Sequence, residues 1–551
     1  MSTRILKETM IKVNVETGKM TENSAGGLSF KVSDKDRLLR LIFLGGENGT
    51  YYIGERKLAM ENAQVVVRLL ANGEGQWVVD TLIDISTSGR AAKQNNLLFV
   101  LAMCARIGDK DTRQKVYLNL DKFCRIPTHL FMFIGFVEAM PGGTGWGRGL
   151  RRAVCAWYTN KKPENLAMLV TKYKNREGWT HLDILRLSHV KPTTPSQNLL
   201  LKYIAKGELP NATVFEDTTK DDEYKTWLFL KAVEILKKTD KESSAIKLLT
   251  KFPGLLCREH IPTGLLNSCA VWEVLLSTMP LTAMLRNLGK MSSIELIVSG
   301  SPSTTLVCQK LTDVGTLKQA RIHPFNVLVA LKTYSQGHGE KGSLTWVPVP
   351  EIEAALSLAY DLSFVNVEST GKRYVLAMDI SGSMGFCGIN GSSIITPQEG
   401  AAAMAMCTLR KEPECTSVAF CTELVPYPMT PDMSLKQLTE LAKEYSRRMG
   451  GTDCAQPMLW ALKNNVKADV FVVYTDCETW AGRISPHQAL QMYREQMGIP
   501  AKLIVCAMTS NGFTLADPND SGMLDMPGFD SAAPEIMRNF VMGQIIVKQF
   551  V

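Results

Sequence analysis

The hydrophobic period of this chain changes once, near residues 363–370 (SFVNVEST), and that change demands two kinds of fold joined in one protein. Before it, apolar residues recur at the i, i+3, i+4, i+7 spacing that gives a helix one buried face. Leu58, Val65, Val66, Leu69 and Leu70 predict a helix ending near Gly73, and Val78, Val79, Leu82 and Ile83 another ending near Gly89. Further helices are expected over Leu97–Ala105, Asp109–Cys124, Thr128–Met140, Leu166–Lys174, Trp227–Lys237, Val271–Met279, Pro324–Tyr334 and around Glu351–Leu362. Gly45–Ile53 (GGENGTYYI) reads as a turn with a short hairpin. Each helix has an apolar stripe that it cannot bury alone. Successive segments must therefore stack as an irregular α-solenoid, either curved and open or closed into a ring.

After the change, short apolar runs of strand length alternate with helical stretches. Tyr374–Ile380 (YVLAMDI), Ser417–Phe420, Val470–Tyr474 (VFVVY) and Lys502–Met508 (KLIVCAM) are the strands. Glu399–Leu409, Leu435–Tyr445, Met458–Asn464 and Pro486–Met497 are the helices between them. This alternation implies a doubly wound α/β domain, a parallel sheet with helices on both faces.

Several classes are excluded. Hydrophobic residues make up 45% of the 551 positions and charged residues 21%, ordinary for globular chains and unlike disordered or fibrous ones. The longest unbroken apolar run, Leu97–Ala105, has nine residues, well short of the ~20 that span a bilayer. The N-terminal stretch MSTRILKETMIKVNVETGKM has no apolar core of a secretory signal. Thirteen cysteines without a CxxC pair point to reduced thiols in a cytosolic or nuclear protein, with no disulfide framework. No membrane partner is expected.

The strongest local motif is Asp379-Ile-Ser381-Gly-Ser383, directly after a strand. Extended residues i, i+2 and i+4 point to one side, so three oxygens can line the crevice at the strand's carboxyl end. One carboxylate with two hydroxyls suits a hard cation such as Mg²⁺. Gly450-Gly451-Thr452-Asp453 offers a further hydroxyl, and Thr475-Asp476 follows the strand VFVVY. The alternative reading is an Asx or Ser/Thr turn without metal. The set resembles the metal-ion-dependent adhesion site of von Willebrand factor A domains. That resemblance implies Ser381, Ser383 and Thr452 as direct ligands, Asp379 and Asp476 close to the metal, and an open position for an acidic partner.

Other runs extend the likeness over almost the whole chain. GTYYIGERKL, RIPTHLF, GWGRGLRRAVCAWY, TKYKNREGW, ILRLSHVKP, MPLTAMLRNLGKM, ARIHPF, YSQGHG and KLIVCAMTSNGFTLADP resemble the TROVE-domain family of Ro ribonucleoproteins and its adjoining A domain. The resemblance implies a ring of HEAT-like helical repeats over 1–365, with the main RNA-binding stretch about 122–286, and a von Willebrand factor A-like domain over 366–551. It implies binding of small cytoplasmic Y RNAs and misfolded noncoding RNAs, such as defective 5S rRNA precursors. Duplex regions would lie on the outer surface and a single-stranded 3′ end in the ring hole. It also implies a role in noncoding RNA quality control and ribonucleoprotein assembly. A monomeric ring in the cytoplasm, with allowance for a nuclear fraction, is the expectation. The loop GFCGINGSS after the acidic motif departs from the family pattern and leaves the partner there open.

The charge distribution agrees with such a partner. Residues 371–551 hold 15 basic and 18 acidic groups, whereas Arg148–Gly207 holds 12 basic residues against Glu164, Glu177 and Asp183. A basic island favours a polyanion, because neutralised phosphates release counterions. The bland alternative is a solvated helical face. Arg148, Arg151 and Arg152 follow the loop PGGTGWG at an expected helix start, where free N–H groups attract phosphate. Lys172 and Arg176, spaced i, i+4 beside the stripe Leu166, Leu169, Val170 and Tyr173, should stand at the surface with Lys174 and Lys191 nearby. Trp157, Tyr158, Tyr173, Trp179 and Tyr203 interleave with these charges as stacking candidates or core anchors. His189, alone, reads as a packed residue closing a helix before Pro192; the family resemblance makes it an RNA contact. The remaining classes are a protein-adhesion or scaffold module that binds an acidic partner through the metal site, and a phosphoryl-transfer enzyme. The enzyme reading is disfavoured because Ser381 stands where a second aspartate belongs and no nucleophile–base set or nucleotide loop occurs.

Overall fold

The computed structural model describes residues 20–140, 145–212, 222–340, 342–386, 388–445 and 450–544. The chain divides into two compact units: Val66–Phe364, and the residues through Val65 together with Val365 onward. Among the described residues no helix is long and apolar enough to cross a membrane.

In the helical unit the expected segments run over Gly75–Ser88, Asn95–Ile107, Pro127–Ala139, Pro163–Lys172, Asp222–Leu236, Cys269–Thr278, Pro324–Ser335 and Pro350–Leu362. The stretch expected as one helix over Asp109–Cys124 is two, Lys110–Leu118 and Leu120–Phe123, broken where Asn119 turns to φ −115°, ψ 17°. Asn95–Ile107 packs on Pro127–Ala139 and Pro163–Lys172 on Asp222–Leu236, each across intervening helices, and Pro324–Ser335 packs on the next helix, Pro350–Leu362. The array also closes on itself. Arg321 Nη1 donates to Ser86 O (3.4 Å), His323 Nε2 to Arg90 O (2.8 Å) and Asn326 Nδ2 to Ala92 O (3.2 Å). These bonds join the end of the helix Gly75–Ser88 and the residues after it to the start of the helix Pro324–Ser335, so the array closes on itself there.

The other unit begins with an antiparallel pair, β1 (Thr21–Glu22) and β2 (Leu28–Lys31), and the helix Asp34–Leu44. The Gly45–Ile53 segment forms turns, with Gly45 and Gly49 at positive φ, and no hairpin; the hairpin lies just upstream, at β1–β2. A second short pair, β3 (Asn175–Arg176) and β4 (Trp179–Thr180), belongs to the helical unit. The large sheet contains β5 (Arg373–Asp379), β6 (Glu414–Phe420), β7 (Leu424–Pro426), β8 (Val470–Thr475), β9 (Lys502–Ala507) and β11 (Met523–Pro527), with β10 (Phe513–Thr514) outside it. Its order is β11-β9-β8-β5-β6-β7, parallel except for the antiparallel edge strand β7.

Tyr374, Leu376 and Met378 alternate with Val375 and Ala377 along β5, and all five are buried, because helices cover both faces. Met458, Ala461, Leu490 and Tyr493 pack on the Val375 face, and the helix Pro397–Lys411 lies against β5 and β8. Residues 20–65, expected with the helical array, pack here because β2 pairs with β10 and the helix Asp34–Leu44 lies on β11.

Candidate functional site

The chain leaves β5 for β6 on one side and later returns as β8 on the other, so Asp379 ends its strand at the switch point of the sheet, where α/β folds open a crevice. Asp379 Oδ1 accepts the Ser381 N–H (2.9 Å) and Oδ2 accepts the Thr475 hydroxyl (2.6 Å). The Ser381 and Ser383 hydroxyls are 3.1 Å apart, and Ser383 lies beside Asp476. The Thr452 carbonyl accepts the N–H groups of Trp480 (3.0 Å) and Ala481 (2.9 Å), which ties the glycine loop to the segment after β8. Asp379, Ser381, Ser383 and Asp476 are brought together, Thr452 is joined to the segment Thr479–Ala481 that follows them, and all five are buried. Asp453 instead faces its own helix start, accepting from Ala455 N–H (3.1 Å) and Gln456 Nε2 (2.8 Å).

Burial and the neighbouring Asp476 push the Asp379 carboxyl above the usual carboxylate range, and burial raises Asp476 too. Two buried carboxylates side by side invite a cation, which reverses that balance. The Thr452 hydroxyl is buried with no partner among the described residues, and such orphans carry a cost. Hard oxygen donors, paired carboxylates and an unspent hydroxyl fit a divalent ion of the Mg²⁺ kind. No grouping of three or more His, Cys, Asp or Glu suited to a metal occurs among the described residues.

Sequence reasoning missed the residues that hold this site from the N-terminal segment. Asn23 Nδ2 donates to Thr479 O (2.6 Å), the Ser24 N–H to Glu478 Oε2 (2.9 Å) and Ser29 Oγ to Cys477 O (3.3 Å). Asn511 Nδ2 donates to Asp476 O (2.6 Å) and Glu478 Oε1 (3.1 Å). Gly27 passes so close that a Cβ there would strike Thr479 O. Tyr52 places its hydroxyl against Ser383 and Trp480, beside Asp476. Only the GTYYI run itself could have drawn attention to Tyr52, and nothing local marks its partner.

The basic residues divide into two groups in the helical unit. Arg148, Arg151 and Arg152 are exposed on the first turns of the helix Arg148–Thr159 and make no ion pair with a described residue. Its opposite face carries Leu150, Val154, Trp157 and Tyr158 into the core. Trp157 and Tyr158 are therefore anchors: the Trp157 indole N–H donates to Cys124 O, and Tyr158 Oη lies 2.8 Å from His181 Nδ1. Cys155 Sγ bonds Ser188 O (3.3 Å), so the turn bearing Arg151 and Arg152 lies beside His189 and, two residues on, exposed Lys191. His189 is exposed, not packed: it ends the helix His181–Ser188 in the left-handed region (φ 57°, ψ 44°).

The second group lies at the other end of that helix. Lys172 and Arg176 do not share a helical face, because the helix Pro163–Lys172 stops at Tyr173 and Arg176 belongs to β3. Lys172 is largely shielded, 3.9 Å from Glu259 and over the Tyr173 ring, which corrects its expected surface position. Lys174 and Arg176 are exposed, Arg176 paired with Glu177 at 3.1 Å. Tyr203 bonds Glu234 (2.6 Å), while Tyr173 and Trp179 are half-buried. Pro141–Thr144 of the glycine-rich loop and Cys387 of GFCGINGSS lie outside the described residues.

Comparison with known proteins adds an independent line. The TROVE domain model matches residues 21–333 and a Ro60 vWA domain model matches 373–541. The Caenorhabditis elegans protein named RNA-binding protein RO60 is 38% identical over 588 aligned residues, covering 95% of this chain and 90% of that one. Its Deinococcus radiodurans namesake is 36% identical over 534 residues, covering 96% of each. The crystal structure of the Deinococcus radiodurans RO (RSR) protein superposes with a TM-score of 0.67 at 33% identity, covering 93% of this chain and all of that one.

Proposed function

Because this chain belongs to the TROVE-domain family and carries its Ro60-type A domain, we propose that it is an RNA-binding protein of noncoding-RNA ribonucleoproteins. One observation carries the reading: three exposed arginines, with no ion pair among the described residues, stand at a helix N-terminus beside exposed His189 and Lys191. Free N–H groups, the helix dipole and guanidinium forks all favour phosphate. Lys174 and Arg176 extend the surface past the far end of an eight-residue helix, about 12 Å long. Lys172, held by Glu259, is left out. Such a surface reads phosphates and A-form shape, not base edges. It suits Y RNAs and misfolded RNAs of unrelated sequence, with a single-stranded 3′ end taken by the opening of the closed helical array. The names of the relatives support a binding protein, not an enzyme.

The test is the salt dependence of RNA affinity. The triple variant Arg148→Ala, Arg151→Ala, Arg152→Ala should lower the slope of log K against log salt by about 2–3, at roughly 0.7–0.9 for each phosphate no longer neutralised. An unchanged slope in a folded variant would place the RNA elsewhere.

The A-domain site is proposed to hold Mg²⁺ through Ser381, Ser383 and Thr452, with Asp379 and Asp476 supplying charge beside it. The buried Thr452 hydroxyl, without a partner among the described residues, favours this second component. The bound ion would offer a Lewis-acidic position to an acidic partner.

A further inference from the structure

We propose that Arg125, His129 and Arg321 form an oxyanion site in the helical unit that takes a phosphate group, as inorganic phosphate or as a phosphate of a nucleic acid. It stands on residues used by neither the arginine surface nor the metal site above.

The three residues come from the runs RIPTHLF and ARIHPF, distant in sequence and neighbours in the fold. Arg125 precedes the helix Pro127–Ala139 and His129 lies in its first turn. Arg321 ends the helix Val314–Ala320 in the left-handed region (φ 49°, ψ 50°). Ser86 joins the two runs: its carbonyl accepts from Arg321 Nη1 (3.4 Å), and its hydroxyl donates to Lys122 O (2.9 Å), just upstream of Arg125. Arg125 Nε and His129 Nδ1 are buried with no partner among the described residues. Arg321 stands exposed at the edge, where a ligand can enter.

The nearby carboxylates are engaged elsewhere: Asp84 pairs with Arg90 at 2.7 Å, and Asp121 faces Lys161. Burial, and then the adjoining Arg321, push the Arg125 guanidinium below its usual value; burial, and then Arg125, hold His129 down to about 4. Like charges side by side, with buried donors unspent, are costly until an anion joins them. Phosphate fits on charge and shape. It carries nearly two charges at neutral pH, one for each guanidinium, where a carboxylate carries one. Its oxygens accept both planar forks, and the neutral imidazole adds one N–H. Ile126 gives the helix Pro127–Ala139 no side-chain cap, so the first N–H groups and the dipole of that helix add favourable potential beside Arg125 and His129.

The experiment dialyses the full chain against radiolabelled inorganic phosphate in chloride buffer of fixed ionic strength. Phosphate should bind saturably and be displaced by sulfate, and Arg125→Met and Arg321→Gln should each weaken it at least tenfold. Amide exchange at Phe133 and Ile134, buried in the helix Pro127–Ala139, separates binding from support. Without phosphate, Arg125→Met should keep protection within threefold of the parent or raise it, because a repelling charge is gone. Saturating phosphate should raise protection in the parent only. A tenfold loss of protection in phosphate-free Arg125→Met would make Arg125 a structural residue and overturn the proposal. So would unchanged phosphate affinity in folded Arg321→Gln, or no uptake up to about 10 mM, tenfold above a Kd of about 1 mM. Fluorescein-labelled oligouridylate distinguishes the sources. If phosphate displaces it and both variants weaken it, the site takes a nucleic-acid phosphate; if it binds parent and variants alike and leaves phosphate in place, the site takes the free ion. Either result supports the site.

Discussion

Arg40 is the most informative residue to remove. Its guanidinium is wholly buried and gives Nε to Asp525 Oδ2 (3.2 Å), Nη2 to Asp525 Oδ1, and Nη1 to Phe513 O (2.7 Å) and Asn511 Oδ1 (3.2 Å). Asp525 is itself only 10% exposed and keeps the Thr514 hydroxyl when Arg40 is gone. Arg40→Met fills most of the volume but strands a buried carboxylate, which costs about 3–5 kcal/mol. The Asn511 and Phe513 oxygens lose a donor as well, so the upper half of that range is expected. Arg40→Met combined with Asp525→Leu removes the stranded charge and should recover at least about 2 kcal/mol of the loss, a coupling that independent sites would not show. Because two compact units need not unfold together, the assay is native-state amide exchange at Val375, Val472 and Ile504, buried in the central strands. Protection there should fall by more than 10²-fold in the single variant, about 2.7 kcal/mol. A fall of less than tenfold, or a double variant no better than the single one, would mean that the N-terminal helix merely leans on the sheet.

Acidification should destabilise the helical unit through His181 and His260, both buried and both held down to about 4 by desolvation. Each neutral ring is fully engaged: Nδ1 accepts from Tyr158 Oη or the Cys257 N–H, and Nε2 donates to Tyr173 O or Thr171 Oγ1. Their folded pKa values lie below the unfolded 6.5, so the stabilisation is complete above pH 6.5 and is lost towards pH 4, at most roughly 3 kcal/mol each. Amide exchange in the helical unit that is equally protected at pH 7 and pH 5 would contradict this. His189→Gly should leave stability within about 1 kcal/mol of the parent or raise it, since glycine accepts the left-handed backbone; weaker RNA binding by that variant then reports the imidazole's own interaction with RNA, and unchanged affinity removes His189 from the interface. Asp379→Ala with Ser381→Ala should abolish Mg²⁺ and Mn²⁺ binding by calorimetry while RNA affinity persists. Loss of RNA affinity in that folded double variant would refute the separation of the two sites.

Period and spacing carried the reading wherever a property depends on neighbours in sequence. The buried stripes of the helices announced themselves at period 3.6, and the strands β5, β8 and β9 as unbroken apolar runs because both faces of the sheet are covered. The motif Asp379, Ser381, Ser383 was legible as oxygen donors directly after an apolar strand, but not through strand alternation, because β5 ends at Asp379 and Ser383 already lies in the helix Gly382–Phe386. Misreadings arose where an end decides the outcome. Extending the helix Pro163–Lys172 by one turn put Lys172 and Arg176 on a common face, although Tyr173 (φ −109°, ψ 80°) ends it. The short strands β1, β2, β7 and β10 have two to four residues each, too few to show a period.

What holds the loop after Asp476 in place could not be read at all, because its partners in the N-terminal segment lie more than four hundred residues away in the chain. Asn23 and Thr479 are separated by 456 positions, Ser24 and Glu478 by 454, and Arg40 and Asp525 by 485. Hydrogen-bond partners of this kind leave no periodic trace: an asparagine near a turn looks the same whether it bonds its own backbone or a distant carbonyl. The family models follow the same local logic, matching 21–333 and 373–541 as separate stretches. Yet residues 23–52 cap the loop behind Asp476, and Tyr52 touches Ser383. The functional boundary of the A domain is therefore set by who satisfies its buried polar groups, not by where its sheet begins. An A domain that starts at the first strand would expose the Cys477 and Thr479 carbonyls and the Glu478 carboxylate, loosening the loop that positions Asp476 beside Asp379.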